Sequence, residues 1–169
     1  MAANIEIKAR LHNLAATKER VEKISDAPCQ VIPQHDTFFN CPGGRLKLRE
    51  LNPQHGQLVY YIRQDLAGPK HSDYRIFDTA DPAGLKSILS EAFGVRGEVS
   101  KVRCVYMLGQ TRIHLDDVSG LGNFIELEVV LQPGQTDADG QAIAMDLMNQ
   151  LDIREADLIE TAYMDMLEQ

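Results

Sequence analysis

Glu126 and Glu128 alternate with Ile125, Leu127 and Val129 in "FIELEVV", and an extended chain places both carboxylates on one face. The same alternation carries cations elsewhere. Arg45, Lys47 and Arg49 alternate with leucines in "RLKLRE", and Lys101 and Arg103 flank Val102 in "KVRC". "NIEIKAR" presents Glu6 and Lys8 between isoleucines, headed by Asn4, and "TRIHLDD" presents Arg112, His114 and Asp116. Arg63 in "YYIRQD" extends the set. Whole segments are basic and one is purely acidic. Guanidinium and ammonium groups suit phosphate oxygens, and clustered carboxylates suit Mg²⁺ or Mn²⁺. The chemistry implied is the binding of a polyanion together with a divalent metal ion.

A solvated sheet face also alternates apolar and polar residues. Such faces, however, mix Ser, Thr, Gln, Lys and Glu, whereas here nearly every alternate residue is charged and the signs are segregated. About eight bases (Lys8, Arg45, Lys47, Arg49, Arg63, Lys101, Arg103, Arg112) and about four acids (Glu6, Asp116, Glu126, Glu128) would give one shared cavity about +4. The whole chain is at −8. A dry interior cannot hold unpaired charges of this kind, so the cavity is wet or filled by an anion.

The elements that must position these residues are mostly strands. Period-2 segments lie at about 4–11, 30–40, 45–51, 57–65, 73–78, 98–108, 111–118 and 123–132. Turn chemistry separates them: "NCPGG", "NPQHG", "LGQ" and "SGLGN". "LGQ" is short enough to require an antiparallel hairpin. Helical periodicity marks "NLAATKERVEKIS", "DPAGLKSILSEAF" with Asp81 as N-cap, "QAIAMDLMNQLDI" and "LIETAYMDMLE". In the last, Leu158, Ile159, Ala162 and Met166 form a stripe expected to pack on the sheet. Roughly eight antiparallel strands and four helices make an α+β chain, and eight strands can close into a barrel.

Composition bounds the function. The 169 residues suit one domain, and 44% hydrophobic with 25% charged residues is ordinary for a globular protein. The net charge of −8 argues against a nucleic-acid or membrane-surface binder. Cys29, Cys41 and Cys104 are odd in number and lack CxxC spacing, which fits free thiols in a reducing, cytoplasmic compartment. His12, His35, His55 and His71 share no spacing and read as surface residues, while His114 sits in a charged row as a hydrogen-bonding lining residue.

In order and spacing, "NIEIKAR", "QHDTFFN", "GRLKLRE", "GPKHSDY", "GQTRIHLDDVSGLGNFIELEVVL" and "DLIETAYMDML" resemble the CYTH superfamily, the triphosphate tunnel metalloenzymes. That superfamily includes the class IV adenylyl cyclases and the thiamine triphosphatases. The resemblance covers nearly the whole chain and implies one CYTH-like domain over residues 1–169. It implies an eight-stranded antiparallel β-barrel forming a tunnel, with helices packed outside. Glu6 and Lys8 match the second Glu and the Lys of the ExExK signature. Arg45, Lys47, Arg49, Lys101, Arg103 and Arg112 correspond to phosphate-binding positions; Lys8 and, by its place in the alternation, Arg63 join them as triphosphate-binding candidates, with Lys8 and Arg103 the catalytic candidates. Glu6, Asp116, Glu126 and Glu128 correspond to the metal-binding group, for Mg²⁺ or Mn²⁺. Asn4 stands where the signature has its first Glu; an amide can ligate a cation but brings no charge and cannot act as a base.

The expected activity is metal-dependent hydrolysis of a triphosphate: inorganic, nucleoside or thiamine. Cyclisation of ATP by a class IV adenylyl cyclase, and triphosphate binding without turnover, are the alternatives. The partner is a small-molecule triphosphate, with no nucleic acid or membrane, and a homodimer is compatible with the sequence.

Overall fold

A computed structural model describes residues 2–168. Eight antiparallel strands close into a barrel in the order β1-β5-β4-β3-β2-β6-β7-β8. They are β1 (Ala2–Arg10), β2 (Gln30–Phe39), β3 (Arg45–Asn52), β4 (His55–Arg63), β5 (Lys70–Thr79), β6 (Val95–Leu108), β7 (Thr111–Val118) and β8 (Gly122–Val130). Two four-stranded meanders, β2 to β5 and β6 through β8 to β1, are sewn together by the β2–β6 and β1–β5 ladders. The expected hairpin is present: Leu108 pairs with Thr111 across a turn in which Gly109 takes φ +55°.

The barrel is turned inside out relative to an ordinary sheet. Its apolar rows face outward. Ile5, Ile7, Ile113, Leu115, Ile125, Leu127 and Val129 form a buried cluster with Val21 of α1 (Leu14–Ile24) and Ala144, Leu147 and Met148 of α3 (Asp137–Gln150). Helix α2 (Pro82–Phe93) covers the β2–β4 wall through Leu85 and Leu89 against Phe39, Leu48 and Leu58. Gly140 lets α3 approach β1, because a Cβ there would stand 2.5 Å from Ile5 Cγ1. With the apolar rows spent on the helices, alternation sends the charged rows inward.

Caps account for the helix starts. The Asn13 side chain accepts from the Ala16 N–H, and that of Asp81 accepts from Gly84. Helix α3 begins earlier than the sequence spacing suggests, because Thr136 and Asp139 form a capping box. The fourth expected helix is mostly not one: α4 spans only Tyr163–Leu167, preceded by a 3-10 turn at Glu155–Asp157 and extended chain. Ile159 N–H donates to the Lys8 carbonyl, and Leu158 bridges Ala9, so this stretch is bound as an extra strand-like edge. All three cysteines are free. No helix among the described residues is long and apolar enough to cross a membrane, a test that does not bear on spanning by strands.

His71 on β5 ties the barrel to the start of α3. Its Nδ1 lies 2.8 Å from Asp137 Oδ1 and its Nε2 2.9 Å from Asp73 Oδ1. These bonds, that to Asp73 first, raise the imidazole's pKa above its ordinary value. A group raised on folding stabilises fully below its unfolded pKa of about 6.5 and loses that contribution as pH rises through the folded value. Thermal melts of the wild type should therefore fall by roughly 1–3 °C more than those of His71→Gln as pH rises from 6 to 8.5, the small size reflecting solvent screening. Identical slopes in the two proteins would remove this linkage.

Candidate functional site

Inside the barrel lies a cavity of about 310 Å³, at the small end of ligand sites. Seven cations and four carboxylates line it, a net charge of +3 with His114 neutral. The cations are Lys8, Lys47, Arg49, Arg63, Lys101, Arg103 and Arg112; the acids are Glu6, Asp36, Glu126 and Glu128. Of the residues expected from the sequence, Arg45 and Asp116 do not reach the cavity. Arg45 instead clamps Asp65 and Asp165, each at 3.0 Å. Asp116 is sealed behind Arg103, which donates to both of its oxygens at 2.7 Å.

The register explains who meets whom. Lys8 stands opposite Glu126, Arg112 opposite Glu128, Arg103 opposite Asp116 and Arg49 opposite Asp36. Lys8 Nζ lies 3.4 Å from Glu126 Oε1, and Arg103 Nη2 donates to Glu126 Oε2 at 3.1 Å. Arg112 Nε donates to Glu128 Oε2 at 2.9 Å, and Arg63 Nη1 to Glu6 Oε2 at 3.2 Å. Glu6 and Glu128 also face each other across β1 and β8, a like-charge pair. Burial first and Glu128 second push the Glu6 carboxyl above its usual pKa. Burial also acts on Glu126, but Lys8 and Arg103 outweigh it and hold that carboxyl well below the usual range.

His114, Glu126 and Glu128 offer ligand atoms that all lie within 4.8 Å of one another. The buried Nδ1 of His114 has no hydrogen-bond partner, and neither does Oδ1 of buried Asn4. Two carboxylates and an imidazole whose Nδ1 is unsatisfied make a set that could hold a divalent cation. His114 thus joins the acidic pair, a role that the strand pattern assigned to hydrogen bonding.

The opposite wall is basic. Asp36, 1% exposed, accepts from Lys47 Nζ at 2.9 Å and lies 3.6 Å from Arg49 Nε. Burial pushes this carboxyl up, but Lys47, Arg49 and Lys101 together hold it far below the usual carboxylate range. Burial and then Arg103 draw the Lys101 ammonium down to about 7, and burial draws Lys8 down to about 8.

One end of the tunnel is closed. Tyr163 packs with Phe38, Val99, Val118, Phe124 and Met164. Its hydroxyl donates to Asp116 Oδ2 at 2.9 Å, and Lys8 Nζ sits 3.9 Å from the centre of its ring. Lys8 also donates to the Thr161 carbonyl at 3.3 Å. Lys70 is buried at this end and donates to the carbonyls of Leu66, Ile159 and Glu160. At the other end exposure rises along β5 and β6. On β5, Lys70 and Ser72 are buried, Tyr74 half-buried and Ile76 46% exposed. On β6, Lys101 and Arg103 are buried, Val105 half-buried and Met107 42% exposed. The tunnel has one mouth.

Asp36 and Tyr163 escaped the sequence reading. Asp36 alternates with Gln34 and Phe38 rather than with charges, and Tyr163 lies in a helical pattern where an aromatic reads as core.

An eight-stranded barrel with a basic, acid-edged, dead-end tunnel defines a class of anion-binding proteins. The chain belongs to the CYTH domain family, whose profile matches residues 2–163. Among solved structures, the PH1012 protein of Pyrococcus horikoshii is 25% identical, with a TM-score of 0.83 over 96% of this chain and 98% of that one. A candidate adenylate cyclase from Vibrio parahaemolyticus is 23% identical, with a TM-score of 0.80 over 98% of both chains. The Hippeastrum protein HpAC1, for which a dominant triphosphatase activity is described, is 14% identical, with a TM-score of 0.70 over 99% of this chain and 95% of that one. No curated protein matches the chain.

The Tyr163–Asp116 bond can be tested alone. Tyr163→Phe keeps the ring and leaves one buried carboxylate oxygen with one donor fewer. It should cost about 1–3 kcal/mol, or a melting temperature lower by roughly 3–10 °C. An unchanged melt would show that the phenol does not hold the closed end.

Proposed function

We propose that this protein is a divalent-metal-dependent triphosphatase. The observation that carries the reading is a tunnel whose net charge of +3 opposes that of the chain at −8 and three of whose four acids, Glu6, Glu126 and Glu128, gather on the adjacent strands β1 and β8. A polyphosphate supplies the missing negative charge. Membership of the CYTH family supports the substrate class.

With one mouth, an esterified triphosphate enters phosphates first. The terminal phosphate then reaches the region of Lys8, Lys101 and Arg103, and Lys47, Arg49, Arg63 and Arg112 hold the rest of the chain. The closed end lies at the opposite end of the tunnel from any group tethered at the mouth. Water is the nucleophile that fits it, which favours hydrolysis over ring closure. Lys8, fixed between Glu126 and the Thr161 carbonyl, orients that water. Arg103, fixed by Asp116 and Glu126, stabilises charge developing on the phosphate oxygens. His114, Glu126 and Glu128 would hold Mg²⁺ or Mn²⁺, with Glu6 opposite Glu128 as a further oxygen donor. Such an ion would supply Lewis-acid stabilisation of the charge on the substrate's phosphates.

The test is one set of assays with inorganic triphosphate, ATP and thiamine triphosphate, each with Mg²⁺, Mn²⁺ or EDTA. Phosphate release that EDTA abolishes is the expected result. Cyclic AMP with pyrophosphate would replace hydrolysis by cyclisation, and no product from any substrate would overturn the enzyme reading. Glu128→Gln should lower metal-dependent release by about a hundredfold or more. Its melting temperature should stay near that of the wild type, because Arg112, its partner, is partly exposed. Full activity in this variant would remove Glu128 from the metal group.

A further inference from the structure

Two of the three cysteines meet on the outer surface of the barrel, at one of the seams that join the two meanders. In the β2–β6 ladder, Val31 stands opposite Cys104 and Gln30 opposite Val105. Ile32, Arg103 and Val105 line the tunnel, so alternation turns Val31, Cys104 and Tyr106 to the outer face. Cys29, two residues before Val31, lies on that side at the end of the connection from α1. Both cysteines are half-buried, packed against the cluster that α1 and α3 build on the barrel's apolar rows. The Cys29 thiol is within hydrogen-bonding reach of the Cys104 thiol and of the Tyr106 hydroxyl. That hydroxyl itself donates to Glu22 Oε1 at 3.2 Å.

Two thiols in contact, drawn from segments far apart in sequence, can do chemistry that a single packed cysteine cannot. In a regular ladder a diagonal pair on one face has its Cα atoms about 7–8 Å apart, at the outer limit for a disulfide. Gln30 is the first residue of β2 and the last one paired with β6 at this end. Cys29 therefore lies outside the ladder, and its backbone is free to close the remaining distance. Burial first and Cys29 second push the Cys104 thiol above its usual pKa, with Lys18 of α1 acting in the opposite sense. Cys104 thus holds its proton, and Cys29 is the thiol that reacts first.

We propose that Cys29 and Cys104 form a reversible oxidation site that takes a hydroperoxide and yields an intrachain disulfide. The Cys29 sulfur, losing its proton, attacks the O–O bond. One oxygen stays on sulfur as a sulfenic acid, and the other leaves as water with that proton. The Cys104 sulfur then displaces the sulfenic oxygen, which leaves as a second water carrying the Cys104 proton. Two thiols lose two electrons, and the peroxide is reduced to two waters. The cross-link closes a long loop that contains β2 to β5 and α2, and it pins the start of β2 to β6. Closing so long a loop restricts the unfolded chain and stabilises the barrel. Cys41 lies past the far end of β2, roughly 30 Å of extended chain away, and takes no part.

The experiment treats the full chain with excess hydrogen peroxide, counts thiols under denaturing conditions and maps peptides without reductant. Free thiols should fall from three to one, with the Cys29 peptide joined to the Cys104 peptide, and dithiothreitol should restore all three. The oxidised protein should melt roughly 5–15 °C higher than the reduced one. That gain should vanish on reduction and be absent from Cys29→Ser treated in the same way. Cys104→Ser should stop at a Cys29 sulfenic acid that dimedone traps, and Cys41→Ser should behave as wild type does. Three thiols surviving the peroxide, a disulfide between two chains, or Cys29 oxidised while Cys104 stays free would each overturn the site. A linked protein that melts below the reduced one would do the same, since the bridge would then form only by distorting the barrel.

Discussion

Charges of both signs confined in a barrel interior must neutralise one another or be neutralised by a ligand, and the rest of this structure follows from that constraint. Moving an ion out of water costs several kcal/mol even after the protein relaxes, and good geometry with an opposite charge is what offsets it. The ladders supply that geometry by register. Lys8 meets Glu126, Arg112 meets Glu128, Arg103 meets Asp116 and Arg49 meets Asp36. The pairing is incomplete by three positive charges among the lining residues, and Glu6 faces another carboxylate. An interior short of anions and an acidic edge short of a cation are the same deficit seen from two sides.

The constraint also dictates what surrounds the barrel. A strand has two faces, so rows of charge inside leave rows of isoleucine, leucine and valine outside. Those rows need covering, and α1 and α3 bury one side while α2 buries another. Gly140 lets α3 approach β1 closely, and the caps at Asn13, Asp81 and Thr136 fix where the helices begin. The helices contribute no lining side chain before Tyr163. Their part in function is to make an inward-charged barrel stable enough to exist.

Much of this was legible in the sequence because alternation is a property of neighbours. The eight strands, the Gly109 hairpin and the inward rows headed by Glu6, Arg45, Lys101 and Glu126 all follow from residues two apart. What was not legible depends on where a row ends. Arg45 and Asp116 belong to the right rows, but one lies past the cavity and the other behind Arg103. Asp36 sits in a row without other charges, and periodicity cannot show that three cations converge on it. His114 stands between Arg112 and Asp116 on its own strand, and only the β7–β8 register brings it to Glu126. The C-terminal segment misled for a different reason. Its apolar spacing is helical, yet its backbone is held extended by hydrogen bonds from Lys8 and Lys70 and to the Lys8 carbonyl.

Those last contacts join the two ends of the chain at the closed end of the tunnel. Lys8, near the N-terminus, is fixed by the Thr161 carbonyl and the Tyr163 ring, and Tyr163 in turn bonds Asp116 beside Arg103. The orientations of Lys8 and Arg103 thus rest on a segment that follows every strand in sequence. Asp165 extends the same dependence outward, since Arg45 and Arg96 both pair with it. Packing at the closed end and charge placement in the interior are therefore one cooperative unit. The mouth, where exposure rises and pairing thins, is the part of the barrel free to vary without disturbing that unit.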